Sequence, residues 1–68
     1  MFKIGDKVEI IKLDGYYEYR ETGLYVGNTG EVTGHIRENG AYLVHLDNVQ
    51  DDRDTLWPFF VRELSLKD

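Results

Sequence analysis

Tyr16, Tyr17, Tyr19 and Tyr25 crowd into one short stretch around Arg20, and the chain's single tryptophan, Trp57, lies further on. Rings with a polar tip offer rigid contact area at low entropic cost, and Tyr, Trp and Arg dominate the energetics of protein interfaces. These residue types at this density therefore point to a protein-contact surface. The competing reading is that two or three of the rings cap an apolar core from outside. Bases also stack on tyrosine beside arginine. Here, however, Lys12, Arg20, Arg37 and Arg53 are scattered and interleaved with Glu18, Glu21 and Glu38. A solvated, salt-bridged surface follows from that arrangement, so nucleic-acid binding is the second reading.

Other constellations carry less. Asp47, Asp51, Asp52 and Asp54 form an acidic run, but a calcium loop of the EF-hand type needs ligands at its first, third and fifth positions and glycine at its sixth. Counting from Asp47 puts Val49 third, and no glycine follows. We expect no metal there, and read Asp51, Asp52 and Asp54 as a charged loop that could meet a basic partner surface. His35 and His45 make at best a two-ligand site without a third donor. Nucleophilic catalysis needs a nucleophile beside a base and an orienting group, yet the only serine is Ser65 and there is no cysteine. GNTGEVTG lacks the lysine of a phosphate-binding loop. We expect a non-enzyme with no cofactor.

The bulk composition narrows the setting. Sixty-eight residues with 41% apolar content make one domain, near the lower size limit for folding without staples. The expectations are a cytoplasmic chain without disulfides, without a signal peptide or membrane span, and monomeric by default. Thirteen acidic against eight basic residues give a net charge of −5, which repels phosphate backbones at long range.

The elements that must position the tyrosines read as strands. Gly5-Asp6 turns into a first strand, Lys7 to Leu13, whose apolar side changes face and so calls for a bulge or bend. The segment from Asp14 to Val26 is a long loop with two ragged strand arms, punctuated by Asp14-Gly15 and Thr22-Gly23. Gly27-Asn28-Thr29-Gly30 reads as a tight turn, with Gly30 letting the backbone pass close to a neighbour. A strand follows from Glu31 to Arg37. The next hairpin has two candidate registers. A two-residue Asn39-Gly40 loop would leave Tyr42, Val44 and Leu46 on the polar face. A three-residue loop with Gly40 left-handed pairs Ile36 with Tyr42, Gly34 with Val44 and Val32 with Leu46, all inward, and is preferred. His35 and His45 then point outward. Leu56 to Val61 is a strand that Pro58 confines to an edge or bulge. One 3₁₀ turn over Val61–Leu64 and a last strand over Leu64–Leu66 complete the chain.

Four segments in this order, FKIGDKVEI, VGNTGEV, AYLVHLD and WPFFVRELSL, resemble the SH3-like barrels, in particular the branch with KOW-type domains. An opening G-D-x-V strand precedes a G-x-x-G-x-V turn, matched by Gly27, Gly30 and Val32. The resemblance implies an all-β, five-stranded, strongly bent barrel with a long first loop. It also implies binding, since such domains take peptides, proteins, RNA, DNA or methylated lysine. The ALYDY opening and the paired tryptophans of eukaryotic SH3 domains are absent, so proline-rich recognition is not carried over. The expected function is a protein-binding module with Tyr16, Tyr17, Tyr19 and Trp57 as apolar contacts and Arg20, Asp51, Asp52 and Asp54 setting polarity. The alternatives are KOW-like nucleic-acid or ribosome-associated binding, and an acidic decoy that blocks a nucleic-acid-binding protein.

Overall fold

A computed structural model describes residues 1–15, 17–20, 23–48 and 56–67. Five strands follow in chain order: β1 (Lys7–Ile10), β2 (Thr29–Ile36), β3 (Ala41–Leu46), β4 (Leu56–Phe59) and β5 (Leu64–Leu66). A single 3₁₀ turn, Val61–Glu63, separates the last two. Period-two patterning explains β1, where Val8 and Ile10 are buried while Lys7 is exposed. All pairings are antiparallel, in the order β4-β3-β2-β1-β5. The architecture is all-β as expected, but the sheet does not close on itself: β4 and β5 remain its two edges. Pro58 lies in edge strand β4, where its missing N–H costs no central ladder bond. Among the described residues, no helix is long and apolar enough to cross a membrane.

The core gathers Val8, Ile10, Leu24, Val32, Tyr42, Val44, Leu46, Phe59 and Leu64, with Phe2, Leu13 and Trp57 packed against it. Burying each large apolar side chain contributes about 1.5–3 kcal/mol, so these residues supply most of the driving force in so short a chain. Every strand contributes to this list or, as with Leu24, a loop does. The loop between β1 and β2 is therefore part of the core's wall.

The hairpin register departs from expectation. Ile36 pairs with Ala41, His35 with Tyr42, Gly34 with Leu43, Val32 with Val44 and Glu31 with His45, with a shift between Val32 and Gly34. The loop is thus four residues, Arg37 to Gly40, and a bulge at Thr33 absorbs the extra residue. Thr33 Oγ1 donates to Leu43 O at 3.3 Å. Gly40 does adopt the left-handed conformation, at φ 77°, and its N–H donates to Ile36 O at 2.9 Å. Val32, Tyr42, Val44 and Leu46 are buried as expected, while Ile36 is only half-buried. Downstream of the bulge the faces exchange, which brings His35 to the same side as Tyr42. Their rings stack with centroids 4.5 Å apart and 15° between planes. His45 lies at the far end of the same ladder, opposite Glu31, so the two histidines are not neighbours.

Three boundaries also move. β1 ends at Ile10, short of Leu13, because the chain turns away toward the loop. β4 stops at Phe59, where the 3₁₀ turn begins to form. β2 starts at Thr29, so Gly30 lies inside a strand, between Val8 on β1 and Leu46 on β3. A Cβ there would stand 2.6 Å from His45 O and 2.7 Å from Val44 Cγ1. The close backbone approach expected of Gly30 is real, but it occurs in the sheet and not in a turn.

Candidate functional site

The loop carrying the tyrosines leaves β1 at Ile11 and is pinned before it reaches them. Ile11 N–H donates to Glu63 O at 2.9 Å, and Leu13 packs on the core. Glu63, in the 3₁₀ turn, is 1% exposed, and both of its carboxylate oxygens are used. Oε2 accepts from Asp14 N–H and Oε1 from Phe60 N–H, each at 2.9 Å. The Asp14 carboxylate in turn accepts from Arg62 Nε and lies 3.3 Å from Lys12 Nζ. The Arg62 guanidinium, with Lys12 beside it, holds the Asp14 carboxyl below the usual carboxylate range.

The loop then folds back on itself. Tyr19 and Leu24 exchange backbone hydrogen bonds of 2.6 and 2.9 Å, so the two ragged arms expected from the sequence form one short bridge. Leu24 goes into the core, and Tyr19 on the facing arm remains exposed. The returning arm is fixed by Asn28, which is 2% exposed and fully hydrogen-bonded. Its Nδ2 donates to Gly23 O and to Asp47 O, and its Oδ1 accepts from Thr29 N–H. Two buried polar side chains, Glu63 and Asn28, thus hold the loop at its two ends.

The predicted contact residues divide between surface and core. Tyr17 is 82% exposed and Tyr19 56%. Arg20 is exposed, its guanidinium 5.0 Å from the Tyr25 ring centroid and its Nε 3.5 Å from a Glu18 oxygen. Trp57 is half-buried on β4, opposite Val44 and packed against the core, and so presents only part of its ring. Tyr16, Asp51, Asp52 and Asp54 lie outside the described residues.

A shallow cleft of about 200 Å³ opens beside the start of this loop, lined by Gly15, Asn39, Ala41, Pro58, Phe60 and Glu63. It joins the loop, the β2–β3 turn and the end of β4. The Arg62 guanidinium lies 4.7 Å from the Phe60 ring centroid, at the cleft's wall. Tyr17, Tyr19, Arg20 and Trp57 are not among its described lining residues. Sequence reasoning missed this cleft, because its walls come from segments far apart in the chain. The only local trace of Glu63's role is its spacing three residues after Phe60, which suits a side chain reaching back to the turn's first N–H.

Five of the described cations already face carboxylates: Lys7 with Glu31, Lys12 and Arg62 with Asp14, Arg20 with Glu18, and Lys67 with Glu9, all within 3.6 Å. Among the described residues, no group of three or more His, Asp or Glu side chains could hold a metal ion. Comparison with protein-family models, curated proteins and solved structures found no match.

Proposed function

We propose that this chain is a non-enzymatic, cytoplasmic protein-binding module of the SH3-like, KOW-related kind. It docks its partner through the β1–β2 loop, with Tyr17 as the leading contact and Tyr19 and Arg20 beside it. The observation that carries this reading is Tyr17, 82% exposed on a loop held at both ends by the buried side chains Glu63 and Asn28. A loop pinned at both ends has fewer conformations to lose when an exposed aromatic side chain docks on a partner. The adjacent cleft supports the same reading. At about 200 Å³ it falls below the usual range of roughly 300–1,000 Å³ for small-molecule pockets, and suits one inserted side chain of a partner. Pairing of five cations with carboxylates supports a protein partner over a nucleic acid, since each phosphate would have to displace a carboxylate.

Affinity capture from host lysate, with the bound proteins identified by mass, tests the proposal. Tyr17→Ala should keep the wild-type unfolding midpoint and lose capture of the partner by about tenfold or more, the usual scale of an interface hot spot. If Tyr17→Ala and Trp57→Ala both fold and both capture the same proteins as wild type, the reading falls. Retention on single-stranded DNA or RNA at low salt, falling steeply as salt rises, would favour the KOW-like nucleic-acid alternative.

A further inference from the structure

The two edges of the sheet differ. β4 carries Pro58, a residue that blunts an edge against pairing, whereas β5 has neither proline nor bulge and exposes Leu66 to 57%. The hydrogen-bond phase of β5 can be fixed from its flanks. Ile11 N–H donates to Glu63 O at 2.9 Å and Lys67 N–H to Lys7 O at 2.8 Å. The Glu63 carbonyl, the backbone groups of Ser65 and the Lys67 N–H therefore face β1, and Leu64 and Leu66 turn theirs away. The Leu64 N–H is taken by Val61 O at the end of the 3₁₀ turn. Among the described residues, the Leu64 carbonyl and both backbone groups of Leu66 remain on the open edge.

We propose that this edge pairs with β5 of a second copy of the chain, antiparallel, about a two-fold axis at Leu66. In that register each Leu66 N–H donates to the other copy's Leu66 carbonyl, and the two exposed Leu66 side chains meet on one face. The charges fit as well. Ser65 lies between Glu9 of β1 and, across the new pairing, the second copy's Lys67. The small serine leaves that ammonium within reach of Glu9, which already attracts the Lys67 of its own chain at 3.6 Å. The segment from Val61 to Lys67 holds two cations and one carboxylate, so the net charge of −5 is not concentrated at this edge. The partner is a second copy, and the pairing is independent of the loop surface proposed above.

Sedimentation equilibrium on the full chain, from about 10 µM to about 1 mM in physiological salt, reads the association directly. The weight-average mass should climb from 8.0 kDa toward twice that value. Leu66→Pro removes the outward N–H and the leucine side chain from the proposed contact and leaves the β1 ladder bonds of residues 63, 65 and 67, so it should fold and stay at the monomer mass throughout. In wild type, amide exchange should show Leu66 protection rising with concentration, while the Ser65 and Lys67 amides are protected at every concentration. A constant mass of 8.0 kDa, a folded Leu66→Pro that associates as well as wild type, or a Leu66 amide whose exchange ignores concentration would each overturn the proposal.

Discussion

Glu63 accepts a hydrogen bond from the backbone N–H of Asp14 at 2.9 Å, joining the start of the tyrosine loop to a turn 49 residues later in the chain. Its other oxygen holds Phe60 N–H, so one buried carboxylate organises the loop, the 3₁₀ turn and the wall of the cleft together. Hydrogen bonds to a charged acceptor contribute about 1.5–3 kcal/mol, and an orphaned buried donor costs a comparable amount.

Glu63→Gln is the sharpest probe of that bridge. Glutamine keeps the shape but replaces one acceptor with a donor, so either Asp14 or Phe60 N–H faces an NH₂ group. We expect urea denaturation to report a loss of about 1.5–3 kcal/mol. A midpoint unchanged from wild type would mean the bridge does not hold in solution.

Asn28→Asp tests the other end of the loop. The substitution places a carboxylate against the carbonyls of Gly23 and Asp47, where Asn28 Nδ2 now donates. A buried charge facing acceptors is strongly unfavourable, and a loss of about 3 kcal/mol or more is expected from the same measurement. Because Asn28 joins two segments, amide protection should drop at Leu24 and at Asp47 together.

Gly30→Ala and Gly15→Ala make a matched pair. At Gly30 the new methyl would meet backbone and side chain at 2.6 and 2.7 Å, which no rotamer change relieves because one contact is the His45 carbonyl. Overpacking of this kind costs about 1–3 kcal/mol, and more when a backbone must move. At Gly15 nothing lies within 4 Å of the new atom. That variant should stay within about 0.5 kcal/mol of wild type by thermal or urea unfolding.

The Asp14 carboxylate sets an acid-side dependence. Its folded pKa lies below the ordinary 3.8, chiefly through the Arg62 hydrogen bond and then Lys12. The folded state therefore binds this proton less readily than the unfolded chain does. Asp14's stabilisation is complete above the ordinary carboxylate value and is lost as pH falls through the lower folded value. Urea midpoints should fall less steeply below about pH 4 for Asp14→Asn than for wild type, and the difference should shrink in high salt because the group is exposed. Parallel acid limbs for the two proteins would contradict this assignment.

Local physics made much of this fold legible in the chain itself. Period-two patterning marked Val8 and Ile10 of β1 and Tyr42, Val44 and Leu46 of β3, and turn chemistry put Gly40 in its left-handed conformation because φ is a property of one residue and its neighbours. Pro58 declared an edge strand since no central ladder tolerates its missing donor. Residue density singled out the tyrosine loop, but whether its rings cap the core or face water was open in the sequence, and only the fold leaves Tyr17 exposed. Only the folded chain decided the rest. The bulge at Thr33 shifted the hairpin because two registers differing by one residue share the same turn sequence, and contacts from neighbouring strands choose between them. Glu63 and Asn28 look like surface residues in sequence, and their burial depends on backbone donors and acceptors delivered from distant segments. The cleft has no sequence signature for the same reason: its walls come from a loop, a turn and a strand end that meet only when the sheet forms.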